Sequence, residues 1–301
     1  MAEKEDIKWG QAQRFELIEW HLYWLGRVNR SVLEERFGIS TQQASLDLRS
    51  YQESAPNNIE YDLTEKTYVP TGTFQPKFLR LSADRYLMQL HAILNGGIQT
   101  TDTWFGSLPP AAVMQTIERS VDPEILRAIL RAIEKRHELN ITYCSFTDTR
   151  SRKIVPHSLA FDGHRWHVRA WCVEHRDFRD FVLTRILSAT KGEPSDADPT
   201  NDMEWNSVIE LKITPHPALT GAQKLAVERD YGMDQGSLVI KTRVALTYYF
   251  IKRHNLDLNE SHMVPPERIQ ICLNNLVEVE EAQRAAKAET LARVAASTAP
   301  H

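Results

Sequence analysis

A set of side chains between residues 143 and 185 shares one chemistry. Tyr143, Ser145, His157, Arg165, His167, Arg169, Arg179 and Arg185 supply hydroxyl, imidazole and guanidinium groups, the donors that hold phosphate oxygens and hydrogen-bond sugars or bases. Arg165, His167 and Arg169 alternate, so on a strand they line one face, with Trp166, Val168 and Ala170 on the other. In the next run, 177–186, Arg179, Phe181, Leu183 and Arg185 share a parity, so a second strand carries an arginine near each end of one face. Stacked cations repel unless something anionic sits among them. The reading is therefore a site for an anionic ligand, a nucleotide or a short nucleic acid. The alternative is that Arg179 and Arg185 form internal ion pairs with Asp177, Asp180 or Glu174. Asp162-Gly163 reads as a two-residue hairpin turn, because Gly supplies positive φ at little cost. Such a turn sets Ser158, not His157, across from His167. His157 then joins the site only through a longer loop or a bulge.

No catalytic constellation accompanies these groups. The chain has no Gly-rich phosphate loop, no nucleophile elbow and no metal motif. His164 and His167 are spaced for two ligands on a helix, but on a strand they point to opposite faces, so no metal is expected. Ser158 beside a histidine lacks a carboxylate to orient the base. The expectation is no enzyme and no cofactor. Cys144, Cys172 and Cys272 are far apart and fit buried thiols in a reducing cytoplasm. No run of about 18 apolar residues exists to span a membrane, and the charged N-terminus lacks a signal-peptide core. Hydrophobic content of 42% and charged content of 25% are ordinary for a soluble protein, and 301 residues suffice for two or three domains. The net charge of −4 argues against a non-specific nucleic-acid coat, but the charge is unevenly spread. Residues 123–192 hold 13 Lys and Arg against 8 Asp and Glu, a local +5, whereas residues 1–75 hold 8 against 12, a local −4.

The elements that must position a nucleic acid lie at the acidic end. Phe15, Ile18, Leu22 and Leu25 recur at helical spacing and predict a helix over 7–28, with Gly26 as a stop. A short second helix spans 30–37, with Val32, Leu33 and Phe37 inward. Gly38 permits a turn, Ser40 or Thr41 caps a third helix over 41–54, and Ala44, Leu48 and Tyr51 form its buried stripe. Residues 59–69 alternate around Thr64-Glu65-Lys66 like a small hairpin. Three helices and a hairpin form the pattern of a winged helix-turn-helix. Its third helix enters the major groove, where Gln42, Gln43 and Ser45 meet base edges. Ser40 and Thr41 lie at its start, and Arg27, Arg30, Arg49 and Lys66 reach phosphates.

The central stretch Arg165-Trp-His-Val-Arg-Ala170, followed by Phe178-Arg-Asp-Phe-Val-Leu-Thr-Arg-Ile186, resembles the WYL domain of bacterial transcriptional regulators. The Trp-Tyr-Leu that names that domain stands here as Trp166-His167-Val168. That departure, and Ile154-Val-Pro-His-Ser-Leu159 ahead of it, is similar to the BrxR/CapW-type repressors linked to phage-defence operons. The resemblance implies an Sm-like β-barrel in the centre and a C-terminal extension used in dimerisation.

The remaining segments complete an α+β multidomain chain. Residues 76–121 read as a helical linker, with helices over 82–94 and 111–119; Trp104 and Phe105 between them are candidate dimer contacts. Asp122-Pro123-Glu124 opens a helix reaching about Arg136, and strands follow over 141–146, 150–161 and the two runs described first. The expected domains are a winged helix-turn-helix over 1–75, the linker, a ligand-sensing WYL domain over 122–192, a dimerising extension over 203–281 and a helical tail over 282–301 that frays near Ser297. Residues 195–202 read as a linker. Strands over 208–213, 236–246 and 269–279 and helices over 217–231 and 248–254 make the extension a small α+β domain. The whole reads as a cytoplasmic homodimeric repressor that binds a double-stranded inverted-repeat operator and is controlled by the anionic ligand. A ligand-dependent activator, or an accessory protein holding RNA on the basic barrel, are the alternatives.

Overall fold

The computed structural model describes residues 9–115, 117, 119–258 and 264–297, and the chain divides into two compact units, Met1–Ile117 and Glu118–His301. In the first unit, helix α1 (Trp9–Leu25) buries Phe15, Ile18 and Leu22 against Ala44, Leu48 and Tyr51. The expected helix over 7–28 is shorter at its end, and residues 7 and 8 lie outside the described residues. Gly26 takes a φ of 72°, which an L side chain seldom adopts, and turns the chain out. Val28 then exchanges backbone hydrogen bonds with Tyr68 instead of continuing the helix. Helices α2 (Arg30–Phe37) and α3 (Thr41–Ser54) have the expected bounds. Asn29 Oδ1 caps α2, Gly38 leaves it with a φ of 61°, and Ser40 Oγ accepts from Gln43 N to cap α3.

Strands β1 (Ile59–Asp62) and β2 (Thr67–Pro70) form an antiparallel hairpin. Asp62 Oδ1 accepts from Thr64 N and Glu65 N in its turn. The chain leaving the wing is anchored by Glu19. That fully buried carboxylate accepts from the backbone of Lys77, Phe78 and Leu79 at 2.6–2.7 Å and from the Tyr51 hydroxyl at 3.0 Å. Helix α4 (Ala83–Leu94) is capped by Ser82 as expected and adds Tyr86 to an aromatic cluster with Trp20, Trp24 and Phe105. Phe105 is buried there, and Trp104 packs on Phe37 with Arg36 over its ring, so both candidate dimer contacts are used inside the unit. The helix expected over 111–119 is not formed among its described residues. Met114 and Ile117 are 87% and 85% exposed, and a short helix without a buried face lacks the packing that stabilises it.

The second unit starts with helix α5 (Pro123–Lys135), capped by Asp122 and ended at Arg136 with a φ of 51°. Five strands follow: β3 (His137–Cys144), β4 (Thr149–Phe161), β5 (Trp166–Cys172), β6 (Asp177–Val182) and β7 (Ile186–Pro194). They pair antiparallel in the order β6-β5-β4-β3-β7, so the ladders end at β6 and β7 and do not close a barrel. Ile125 and Ile129 of α5 pack on Leu139, Ile141, Ile154, Val168, Ala170 and Phe181 of the sheet.

Two turns differ from expectation. Phe161 pairs with Trp166, so the β4–β5 loop has four residues, 162–165, not two. Asp162 causes this: its Oδ1 accepts from His164 N and Arg165 N, wrapping the chain around the carboxylate. Residues 183–185 form a 3-10 turn, which breaks the alternation expected to carry Arg185 onto the face of Arg179.

The C-terminal part begins with α6 (Met203–Asn206). It pairs β8 (Val208–Pro215) with β9 (Leu238–Arg243) and β10 (Ile271–Leu273) in the order β10-β8-β9, under α7 (Gly221–Asp230) and α8 (Val244–Arg253). The helix expected over 217–231 opens only at Gly221, capped by Thr220. Residues 244–246, expected as strand, begin α8, and of the strand expected over 269–279 only β10 is formed, between α9 (Pro266–Ile269) and the start of α10 (Leu276–Ser297). Helix α10 ends at Ser297, the end expected of the helical tail, and residues 298–301 lie outside the described residues. It buries Val279, Ala286 and Thr290, and Thr290 Oγ1 accepts from Met203 N at 2.9 Å. No helix of the described residues is long and apolar enough to cross a membrane.

Candidate nucleic-acid interface and sensor site

The caps of α3 fix which of its side chains meet solvent. Ala44, Asp47, Leu48 and Tyr51 are buried, and Arg14 of α1 clamps Asp47 through two bonds of 2.7 and 3.1 Å. Gln42, Leu46 and Arg49 therefore form an exposed line one and two turns apart. Gln43 does not share it: its Nε2 donates to Asp47 Oδ1 at 3.2 Å, and the side chain is half-buried. Ser45 Oγ donates to the Thr41 carbonyl at 2.8 Å and sits 3.5 Å from Arg30 Nη1. The start of α2, the start of α3 and the wing enclose a cleft of about 590 Å³ lined by Arg30, Thr41, Ser45, Tyr61, Lys66 and Tyr68. Ser40, the residue before Thr41, is exposed. Arg27 is placed apart, in a separate concavity with His21, Arg36 and Glu65. Leu46 and Tyr61, exposed on this polar face, and the half-buried Tyr68 of the cleft were not expected there; their placement needs the fold to be seen.

The central sheet separates the expected ligand residues into groups. Val168, Ala170 and Cys172 of β5 face the core, and His167 and Arg169 face the other way, where both are buried. His157 reaches that face because β4 bulges there: Pro156 pairs with Ala170 and Ser158 with Arg169, leaving His157 as the extra residue. These cations are not bare. Arg169 Nε and Nη2 donate to both oxygens of Asp202 at 2.7 and 2.9 Å, Nη2 also to Glu204 at 3.0 Å, and Nη1 lies 3.5 Å from Asp180. His157 Nε2 is 3.0 Å from Asp202 Oδ2, its ring set edge-on to Phe178 and Trp205.

Asp202, fully buried, also caps α6 by accepting from Trp205 N. Burial alone would raise its pKa, but the bonds from Arg169 and His157 outweigh that and hold it at about 2. His167 Nε2 and Arg165 Nε both donate to Asp162 Oδ2, at 2.9 and 3.2 Å. Asp162 is held well below the usual carboxylate range: burial opposes this, and the His167 bond and two backbone amides prevail. Tyr249 of α8 donates to Asp180 at 2.9 Å beside the His167 ring, and burial, then Asp180, pushes its phenol up. Lys287 of α10 binds Asp177 at 2.6 Å and lies 3.5 Å from Glu204. At the hairpin tip, Arg253 of α8 fills the space where a side chain on Gly163 would be. This face is a charge-matched junction between the sheet and the C-terminal part.

The other expected ligand residues lie elsewhere. Arg179 pairs opposite Ala170, which puts it on the reverse face from Arg169. It is exposed, with Asp177 at 3.8 Å. Tyr143 is in the core, its hydroxyl accepting from Val182 N at 3.3 Å. Ser145 closes the β3–β4 turn onto Asp148, and Arg185 lies over the Phe146 ring at 4.0 Å. The premise of a bare basic face is thus corrected: carboxylates from β6 and the segment before α6 neutralise it. On the reverse face, Arg152 is buried with its Nε unpartnered. Together with Arg150 and Arg179 it helps to depress the pKa of His175, after burial.

Three family models match along the chain: the BrxR transcriptional regulator winged helix-turn-helix domain over residues 10–92, the WYL domain over 124–191, and the BrxR transcriptional regulator C-terminal dimerization domain over 208–279. The DNA-binding transcriptional repressor CapW of Escherichia coli (strain KTE188) is 38% identical over 282 residues, covering 92% of this chain and 93% of that protein. The chain belongs to the BrxR/CapW family of transcriptional regulators. CapW of Pseudomonas aeruginosa is 36% identical over 281 residues, with 92% and 93% covered. Among solved structures, proteasome accessory factor B/C (PafBC) of Arthrobacter aurescens aligns over 94% of this chain and 48% of its own, at 15% identity and a TM-score of 0.25. In this BrxR/CapW chain Asp202 falls in the gap between the WYL and C-terminal matches.

Proposed function

We propose that the chain is a homodimeric, sequence-specific DNA-binding repressor whose WYL domain senses an anionic ligand. The observation that carries the first part is the exposed line Gln42, Leu46 and Arg49 on a capped third helix beside a wing, in a chain of the BrxR/CapW family. Gln42 takes the adenine-reading role rather than Gln43, which is engaged with Asp47. Ser40, Thr41, Ser45, Arg30, Arg49 and Lys66 hold phosphates or neighbouring base edges, and the matched dimerization domain presents two such helices to an inverted repeat. The resemblance implies a phage-defence operon as the target, the cytoplasm as the location and an Sm-like bent sheet as the sensor fold.

The ligand reading is supported by the reverse face of the sheet, where the unpartnered Nε of buried Arg152 lies with Arg150 and Arg179. A phosphate-bearing nucleotide or oligonucleotide bound there acts through the sheet on the Arg169–Asp202 junction that holds α6 and, through Lys287, α10. The test is a gel shift with the protein's own upstream region, with and without added nucleotides and short oligonucleotides, on wild type, Gln42→Ala and Arg179→Ala. Specific binding that Gln42→Ala abolishes, and release that Arg179→Ala blunts, are expected. Equal binding to scrambled duplex overturns operator recognition, and indifference of wild type to every anion overturns sensing alone.

A further inference from the structure

Leu46 is 54% exposed in the middle of the line formed by Gln42 and Arg49. An exposed leucine is unremarkable by itself. Its setting is what matters. The buried side of α3 is already complete with Ala44, Leu48 and Tyr51, so Leu46 adds nothing to the core. Around it, Arg30, Thr41, Gln42, Ser45 and Arg49 line a shallow concavity, and every one of them is a hydrogen-bonding group. A helix that enters the major groove by this face carries Leu46 to the level of the base edges. There each base offers donors and acceptors, and the apolar feature is the 5-methyl of thymine. If Gln42 pairs with an adenine, the thymine of that same pair supplies one such methyl beside it.

We propose that Leu46 is a specificity-determining residue that packs against one or two thymine methyl groups in each operator half-site. This rests on the recognition-face reading above. It separates cleanly from polar readout, because deoxyuridine lacks the methyl and keeps every hydrogen-bonding atom of thymine. Burying one methyl is worth about fourfold in affinity.

The experiment selects an operator from random duplexes with the full-length protein, then replaces each half-site thymine by deoxyuridine in turn and measures binding by fluorescence anisotropy. Wild type is expected to lose about fourfold at one or two adjacent positions. Leu46→Ala, whose side chain supports no core contact, is expected to keep the wild-type melting temperature, bind the thymine operator more weakly and no longer distinguish thymine from deoxyuridine there. Leu46→Met keeps the distinction, and Gln42→Ala keeps it while losing adenine preference. Wild type indifferent to deoxyuridine at all positions, or an undiminished penalty in Leu46→Ala, overturns the role of Leu46 and leaves operator recognition standing. Selection of no operator at all overturns the recognition face, and Leu46 with it.

Discussion

The face of α3 and the junction face of the central sheet are built from similar polar residues and left in opposite states. On α3, Gln42 and Arg49 are exposed and make no side-chain bond among the described residues, as does Lys66 on the wing. On the sheet, Arg169 and His167 are buried and His157 half-buried, and each donates to a carboxylate. A surface that waits for DNA keeps its donors in water, so binding exchanges solvent for phosphate and bases with little rearrangement. A buried guanidinium held by Asp202, Asp180 and Glu204 instead fixes the segment that carries Asp202 and Glu204 against the sheet. Charge alone does not distinguish the two; the carboxylates within reach do.

The strongest way to break the contrast is Arg169→Ala. It leaves the buried Asp202 without its main partner, and removing one member of a buried pair costs about 3–5 kcal/mol. Thermal and urea unfolding should show that loss; a change under about 1 kcal/mol would mean that the network does not hold the junction. Acid titration sharpens the comparison. Burial lowers the His21 pKa from 6.5 to about 4. Below 6.5 the unfolded chain takes up a proton that the folded unit refuses until about pH 4, so the first unit loses stability across that window, on the order of 3 kcal/mol. The Asp202 contribution is complete above about pH 4 and is lost only as pH falls toward 2. Fluorescence of Trp20 and Trp24 should therefore report destabilisation of the first unit as pH falls from about 6.5 toward 4, and a first unit that keeps its full stability across that window would contradict this.

Gln42→Ala should lower operator affinity about tenfold with a stability change within about 0.5 kcal/mol, whereas Gln43→Ala should leave operator preference nearly unchanged; isotherms on cognate and scrambled duplexes decide between them. The smallest effect belongs to Lys66→Ala, which should weaken all duplexes alike and reduce the salt slope by about one. A loss confined to the cognate duplex would move Lys66 into base readout.

The legible parts of the chain were those written locally. Ser40, Ser82 and Asp122 cap the helices they were expected to cap, and α2 and α3 have the expected bounds. Alternation correctly split His167 and Arg169 from Val168 and Ala170. The errors came from residues that act at a distance or override a pattern. Asp162 draws two backbone amides to itself and lengthens a loop that Gly163 alone reads as tight. A 3-10 turn removes Arg185 from the parity of Arg179. Asp202, in a stretch whose composition reads as linker, reaches an arginine 33 residues earlier and a histidine 45 residues earlier, and no local rule links them.

The position of Asp202 also bears on how such chains can be recombined. A chimera joined anywhere between residue 191 and residue 208 respects both matched segments, yet the crossover point decides whether the carboxylate travels with its arginine. Cut after Asp202, a transplanted sensor brings Arg169, His157 and their acceptor as one part; cut before it, the sensor depends on the recipient to supply an acid there. Gly163 adds a second compatibility rule, since the recipient's counterpart of Arg253 needs a bare backbone to lie on. The sensor of this chain is thus bounded by its salt-bridge partners rather than by the ends of its strands and helices.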